Sequence, residues 1–259
     1  MNVKHCKSDR TQSQQEKSVI MIGKASSQLD RFIVEKQYLP VFLEITDRLC
    51  LVVGVGKDAL KRASELLSYG SRVHLVAPNL TSLPCELQSN PNFRYSNRMP
   101  TEKDVAESYV IIGSDEKNGD DQPIRFQELE QLKEMADRHG RLFTAIEYRD
   151  LGHFTNPAVS RNGPLTVAVS TDGTAPVLGR FIREKIRSEI LTDDMANFAR
   201  FIGPYRHRIR SLISDGERRN QFYVNLIQSD FSLFLSENSN EEALSELIRR
   251  VSEFRKYNP

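Results

Sequence analysis

The first clear pattern along the chain is an apolar run followed by a helical repeat. LCLVVGV, residues 49–55, has the length and β-branched content of a buried parallel strand. In KDALKRASELLSYG, residues 57–70, apolar positions recur at helical spacing, and Gly70 stands where a helix is expected to end. RVHLVAP, residues 72–78, predicts a second strand. The order strand, turn, helix, strand is typical of a parallel βαβ unit.

The same alternation continues to about residue 150. Strands are predicted in NFRYSNR (92–98), SYVIIGS (108–114) and LFTAIEY (142–148). FQELEQLKEMADRHG (126–140) predicts a helix that ends at Gly140. Strands that alternate with helices indicate an α/β fold with a doubly wound, Rossmann-like parallel sheet.

The pattern changes after Gly152. GPLTVAVST (163–171) predicts a further strand, and APVLGRFIREKIRSEI (175–190) predicts an amphipathic helix that begins near Pro176 with Thr174 as its cap. We therefore place one domain boundary near residues 150–155 and another near 190.

From Asp193 onward the pattern is helical, and no strand is predicted. Apolar residues repeat at helical spacing over the first part of this region: Phe198, Phe201, Ile202, Ile209, Leu212 and Ile213. Ser239 and Glu242 are spaced as the capping box of a terminal helix. At the other end of the chain, residues 1–36 are polar and are predicted to be disordered.

Composition narrows the class of protein. The 259 residues are 39% hydrophobic and 27% charged, as in a soluble globular protein, and the net charge of +1 gives no general attraction to nucleic acid. The longest apolar runs are far shorter than the ~20 residues that span a bilayer. Three cysteines (Cys6, Cys50, Cys85) without metal-type spacing favour a reducing, cytoplasmic setting. We predict no membrane, nucleic-acid or structural metal partner.

The turn after the first strand carries the first candidate chemistry. Gly54-Val55-Gly56-Lys57-Asp58-Ala59 fits the G-x-G-x-x-A pattern between a strand and a helix. Gly54 permits a tight turn, Gly56 lets the backbone approach a pyrophosphate, and Ala59 allows close packing of helix on strand. The helix N-terminus adds N–H groups and a positive dipole end. This segment predicts a dinucleotide site.

The end of the second strand bears on the choice of cofactor. An acid at this point usually binds the ribose hydroxyls, but here the chain reads Ala77-Pro78-Asn79. Asn79 is the only nearby polar substitute, and Arg72 lies at the wrong end of the strand for a 2′-phosphate. We predict NAD as the cofactor, with Pro78 and Asn79 near its ribose.

Two separated segments together resemble a known family. Residues 38–80, YLPVFLEITDRLCLVVGVGKDALKRASELLSYGSRVHLVAPNL, and residues 156–186, NPAVSRNGPLTVAVSTDGTAPVLGRFIREKI, are similar to the N-terminal module of sirohaem synthases, the precorrin-2 dehydrogenase/sirohydrochlorin ferrochelatase family. The resemblance covers about Tyr38 to Ile190. In that family V-A-P after the second strand is the usual form, so the missing acid does not argue against NAD.

The resemblance implies an architecture and an activity. It implies an NAD-binding domain over residues 37–152, a small α/β dimerisation region over 153–190 and a helical C-terminal domain over 191–259. It also implies a homodimer that oxidises the tetrapyrrole precorrin-2 to sirohydrochlorin with NAD⁺ and, in some members, inserts Fe²⁺. No methyltransferase region follows before Pro259, as expected of the stand-alone form.

Two positions depart from the family pattern. The middle glycine of the loop is replaced by Val55, whose side chain is tolerable at negative φ but could crowd the pyrophosphate. The family's N-V-x-D segment, whose Asp is the proposed general acid/base, corresponds to TAIEYRDLGHFTNPA. Glu147 falls near that Asp, Asp150 is the alternative, and a third possibility is that neither acts. An extra methylene matters, because an error of about 1 Å can cost ~100-fold in rate.

The remaining site residues follow from the resemblance. Ser114 and Asp115 approximate a family element that contacts the cofactor. STDGTAP, residues 170–176, corresponds to the segment that lines the tetrapyrrole cleft, and its candidates for substrate binding are Ser170, Thr171, Gly173 and Thr174.

Charge and loop position add four further candidates. Precorrin-2 carries eight carboxylates, so cations are expected near the cleft, with Arg161, Arg180 and Arg183 the candidates. His153 is a structural histidine, a proton relay or a weak metal ligand. The alternatives to an active dehydrogenase are a relative that binds tetrapyrrole, haem or NAD without turnover, and a chelatase with a vestigial nucleotide site.

Overall fold

The computed structural model describes residues 36–80, 82–115 and 124–257. The prediction of disorder for the N-terminal extension therefore lies outside the described residues, apart from Lys36. The chain from Leu43 onward is one compact unit, and it contains every helix and strand given below.

A parallel sheet of five strands forms the first half of this unit. Its strand order is β3-β2-β1-β4-β5, with every neighbouring pair parallel. The strands are β1 (Leu49–Val53), β2 (Arg72–Val76), β3 (Phe93–Ser96), β4 (Val110–Gly113) and β5 (Leu142–Ala145). The central position of β1 explains its unbroken apolar sequence, because both of its faces are covered. The predicted Rossmann-like sheet is confirmed.

Helices cover the two faces of this sheet. They are α1 (Lys57–Ser68), α2 (Cys85–Gln88), α3 (Glu102–Glu107) and α4 (Phe126–Arg138). Successive residues of β1 point to opposite faces, so that Leu51 packs in the cluster with α4, and Val52 packs in the cluster with α1. Helices α1 and α4 were predicted from their periodicity. The four-residue α2 and six-residue α3 were not, because they are too short to display a helical repeat.

A hairpin and a long helix follow the sheet. Strands β6 (Ala158–Asn162) and β7 (Leu165–Val169) pair antiparallel, and α5 spans Pro176–Glu189. Strand β7 was predicted, but β6 was missed because its sequence AVSRN has only two apolar residues. The prediction that Thr174 caps α5 is wrong: the N-cap is Ala175, and the Thr174 hydroxyl donates to the Thr171 carbonyl at 2.6 Å.

The rest of the described chain is helical, as predicted. The helices are α6 (Asp193–Ile202), α7 (Arg206–Leu212), α8 (Gly216–Gln228), α9 (Phe231–Glu237) and α10 (Asn240–Tyr257). Phe231 is at the centre of their core, with its ring centroid 6.2 Å from that of Phe198 and 5.9 Å from that of Phe201. Of the predicted apolar positions only Leu212 is exposed, at 37%. The capping box at Ser239 is confirmed.

Candidate functional site

The glycine loop has the backbone geometry that a pyrophosphate requires. Gly54 adopts φ +143°, and a Cβ atom there would lie 2.7 Å from the carbonyl oxygen of Ser114. Gly56 is the N-cap of α1, and Ala59 is fully buried beneath the loop. The first N–H groups of a helix lack intrahelical partners, so the start of α1 at Lys57 and Asp58 presents donors to an anion. These residues fit a dinucleotide.

Val55 does not obstruct this loop. Its side chain is fully buried, and the described non-glycine residues with positive φ are Asp47, Asn79 and Asp172. Val55 therefore stays in the backbone region that a branched residue tolerates, with its methyl groups inside the protein. The crowding that the sequence suggested does not arise from this side chain.

The end of β2 is held by residues that follow β3. The Ala77 carbonyl accepts a hydrogen bond from the Tyr95 hydroxyl at 2.9 Å. Asn79 has φ +55°, and its N–H donates to Asn97 Oδ1 at 2.7 Å. Pro78 is half-buried and the Asn79 side chain is exposed. The sequence identified Asn79 as the only polar substitute here; the structure adds Asn97 and Tyr95.

Glu147 connects the ends of β4 and β5. Its Oε1 accepts from the Ser114 hydroxyl at 2.6 Å, and its Oε2 accepts from the Asp115 N–H at 3.2 Å. Ser114 is only 1% exposed, whereas Glu147 is an exposed residue. The Tyr148 hydroxyl donates to Asp115, and this hydrogen bond raises the pKa of Tyr148. The carboxylate of Glu147 is thus held in a fixed orientation.

The alternative carboxylate lies in a different setting. Asp150 is exposed within a single turn of 3₁₀ helix, Arg149–Leu151. His153 follows and has a structural role: its Nε2 lies 2.7 Å from Asp137 Oδ1, and its Nδ1 accepts from the Phe143 N–H at 3.1 Å. It therefore ties α4 to β5. Within the described ranges no group of three or more His, Cys, Asp or Glu side chains could hold a metal ion.

A cleft of about 360 Å³ opens beside the carboxyl end of β5. Its walls come from residues 144–146, the loop 154–158, the start of the STDGTAP segment and the first turns of α5. Three of the four residues predicted to bind substrate line it: Ser170, Thr171 and Gly173. Thr174 does not line it, and its hydroxyl donates to the Thr171 carbonyl.

Arginine supplies the charged side chains of this cleft, and two of its four arginines are paired with a glutamate on the same helix, Arg62 with Glu65 and Arg183 with Glu184. Of the described residues that line it, the ionisable ones are all arginine: Arg62, Arg149, Arg180 and Arg183. Arg180 and Arg183 were among the candidates, whereas Arg161 instead places its guanidinium 4.7 Å from the Tyr69 ring centroid. Arg149 packs against Gly173, where a Cβ atom would meet its Nη1 at 2.8 Å. Neither predicted carboxylate lines the cleft, but Ile146, next to Glu147, does.

Two family models match this chain in tandem. Residues 41–158 match a model described as NAD(P)-binding, and residues 162–189 match one described as sirohaem biosynthesis protein central. The two matches, in this order, make the chain similar to the sirohaem synthase family. The first model covers the five-stranded sheet with the glycine loop, and the second covers β7 and α5, which carry Arg180 and Arg183.

Relatives in this family are similar over most of the chain. The siroheme synthase of Photorhabdus laumondii is 28% identical over 217 residues, which is 83% of this chain and 44% of that protein. The siroheme synthase of Pseudomonas aeruginosa is 30% identical over 195 residues, which is 75% of this chain and 40% of that protein. The chain thus spans less than half the length of these synthases.

A solved structure shares the fold. SirC, a precorrin-2 dehydrogenase, aligns with a TM-score of 0.58 over 82% of this chain and 100% of that chain, at 22% identity. This similarity supports the arrangement of a Rossmann-like sheet followed by a helical region. In the described part of the chain, no helix is long and apolar enough to cross a membrane.

Proposed function

We propose that this protein is an NAD-dependent dehydrogenase that oxidises precorrin-2 to sirohydrochlorin in sirohaem biosynthesis. The observation that carries the proposal is the arginine-lined cleft beside the carboxyl end of β5. The glycine loop follows β1 at the same edge of the sheet. Four arginines and no carboxylate among its described lining residues suit a substrate with eight carboxylates. NAD⁺, when bound, supplies the hydride acceptor.

The roles of the site residues follow from their positions. Gly54 to Ala59 would hold the pyrophosphate, and Pro78 and Asn79 would lie near the ribose. Ser170, Thr171 and the arginines would orient the tetrapyrrole in the cleft. Glu147 is the better placed carboxylate for the proton, because Ser114 and Asp115 fix both of its oxygens. Asp150, in the 3₁₀ turn that follows, is the alternative carboxylate.

Dimerisation belongs to the same proposal. Helix α5 exposes large apolar side chains in the described single chain, with Val177 at 70%, Phe181 at 64% and Leu178 at 51%. Such a contiguous apolar face is typical of an interaction surface. We assign residues 153–190 to a homodimer interface. Along the chain this region follows the NAD-binding domain (37–152) and precedes the helical domain (191–259).

The decisive experiment supplies precorrin-2 and NAD⁺ to the purified protein. We expect NADH absorbance to appear together with sirohydrochlorin, and Glu147→Ala to lower kcat by at least 100-fold. Asp150→Ala is the matched control and should retain most of the activity. Tight tetrapyrrole binding without NADH formation would overturn the proposal in favour of a non-catalytic relative. Adding Fe²⁺ to sirohydrochlorin in a second arm tests insertion of the metal, for which Glu147 would accept the displaced pyrrole protons.

A further inference from the structure

The end of β2 lacks the group that normally distinguishes the two nicotinamide cofactors. In this fold an acid near the end of β2 binds the ribose hydroxyls of NAD, whereas a nearby arginine accommodates the 2′-phosphate of NADP. Here β2 ends at Val76 and continues as Ala77-Pro78-Asn79, which supplies neither charge. Any discrimination must come from elsewhere.

An arginine lies one strand away from this position. β2 and β3 are parallel neighbours, with Val76 opposite Ser96. The next residue, Asn97, accepts a hydrogen bond from the Asn79 N–H at 2.7 Å, so the chain after β3 stays in contact with the chain after β2. Arg98 follows directly, and its side chain is 42% exposed. Arg98 is therefore carried by the segment that runs beside the expected position of the ribose.

Asp104 holds the Arg98 guanidinium. Arg98 Nη1 donates to Asp104 Oδ2 at 2.6 Å, and Nη2 donates to Oδ1 at 2.9 Å. Asp104 is nearly buried, with 7% of its side chain exposed, and it also accepts from the N–H and the hydroxyl of Thr101 at the start of α3. A carboxylate with these partners is fixed in place, and the hydrogen bond from Arg98 holds the pKa of Asp104 well below its usual range.

We propose that the Arg98–Asp104 pair sets the preference for NAD over its 2′-phosphorylated form. Asp104 keeps the guanidinium turned away from the ribose, and its negative charge cancels the attraction that Arg98 would exert on a phosphate. In related folds an acid at the end of β2 excludes the 2′-phosphate. Here, the 2′-phosphate is disfavoured because Asp104 neutralises Arg98, the arginine that follows β3. The inference rests on the proposed NAD site.

Direct binding of two cofactor fragments tests this pair without any turnover. Calorimetry on the full chain would compare ADP-ribose with 2′-phospho-ADP-ribose in the wild type and in Asp104→Asn, which removes the charge but keeps the shape. We expect the affinity ratio to shift about tenfold toward the phosphorylated fragment, the effect of one charge-assisted hydrogen bond. The double variant Asp104→Asn/Arg98→Gln should lose that gain. Asp104→Asn/Arg94→Gln, which changes an exposed arginine within β3, should keep it.

Each other outcome has a defined meaning. A folded Asp104→Asn variant that binds ADP-ribose but shows no shift in the ratio would overturn this proposal alone. Failure of the wild type to bind ADP-ribose would overturn the NAD site and this inference with it. If Asp104→Asn does not fold, Arg98→Gln decides the question: the proposal requires an unchanged ratio, and a several-fold loss of 2′-phospho-ADP-ribose affinity would refute it.

Discussion

At the residue scale, Gly54 combines a backbone constraint with a steric one. Its φ of +143° is rarely adopted by residues with a side chain, and a Cβ would lie 2.7 Å from the Ser114 carbonyl oxygen. We predict that Gly54→Ala lowers the free energy of unfolding by about 1–3 kcal/mol and weakens binding of ADP-ribose. Urea unfolding and calorimetry measure the two effects.

Gly140→Ala is the matched control for this prediction. Gly140 also has positive φ, at +61°, but a Cβ there would meet nothing within 4 Å. We expect a smaller loss of stability than for Gly54→Ala and unchanged binding of ADP-ribose. Equal losses in the two variants would contradict the steric part of the argument.

Ser114 has two possible roles, to orient Glu147 or to contact the cofactor, and a substitution distinguishes them. Its hydroxyl donates to Glu147 Oε1 at 2.6 Å and is buried. We predict that Ser114→Ala lowers kcat about tenfold, because the carboxylate loses one of its fixed hydrogen bonds, while KM for NAD⁺ changes little. Steady-state kinetics with each substrate varied measures both constants.

The opposite kinetic pattern would support a direct contact of Ser114 with the cofactor. In that case KM for NAD⁺ would rise and kcat would be preserved. Ser108→Ala is the control, because Ser108 is an equally buried serine whose hydroxyl bonds to the Asp104 carbonyl. It should leave both constants near the wild-type values.

The sequence predicts residues whose constraint is local and misses those defined by contacts across the fold. Gly54 and Gly56 are recognisable because a tight strand–helix turn needs them in a fixed spacing. Asn97 belongs to the ribose end of the sheet only because β3 lies beside β2. Arg62 lines the cleft from the middle of α1. In the sequence it is indistinguishable from an arginine on the solvated face of a helix.

At the scale of elements, α5 presents arginines to the cleft and large apolar side chains to solvent in the single chain. Arg180 and Arg183 line the cleft, whereas Arg187, one turn further on, does not. We predict that Arg180→Gln and Arg183→Gln each raise KM for precorrin-2 about tenfold, because each removes a charged partner of a carboxylate. The effect on kcat should be smaller.

Arg187→Gln removes the same charge from the same helix outside the cleft. It should leave KM for precorrin-2 unchanged, as measured in the NADH assay. A rise in KM equal to that of the cleft variants would mean that the substrate responds to net charge alone. High salt would then reduce all three effects alike.

The long helices and the inner strands were predictable, whereas the shortest helices and β6 were not. Strands β1 and β4 are recognisable because burial on both faces demands continuous apolar runs. β6 has a mixed sequence, and only its pairing with β7 makes it a strand. α3 depends on a capping box at Thr101 and Asp104 whose partner Arg98 comes from the preceding loop.

At the scale of the molecule, the candidate site is divided between two regions. The glycine loop and Glu147 lie at the carboxyl ends of the strands, where ligands bind in open α/β sheets. The cleft extends from that edge to β7 and α5, and its arginines come from both regions: Arg62 and Arg149 from the first, and Arg180 and Arg183 from α5. Tandem matches to two family models reflect the same division. Correct chemistry therefore depends on how the hairpin and α5 are held.

We predict that a second copy of the chain holds the β6–β7 hairpin and α5 in place. Val177 and Phe181 are one helical turn apart and more than 60% exposed, an arrangement that is costly in water and favourable at an interface. Light scattering should give twice the 29.6 kDa of one chain for the wild type and a single-chain mass for Phe181→Asp. Ser188→Asp, an equally charged change near the end of the same helix, should leave the dimer intact. A wild type that stays at the single-chain mass up to ~100 μM, well above the Kd of stable dimers, would contradict the assignment.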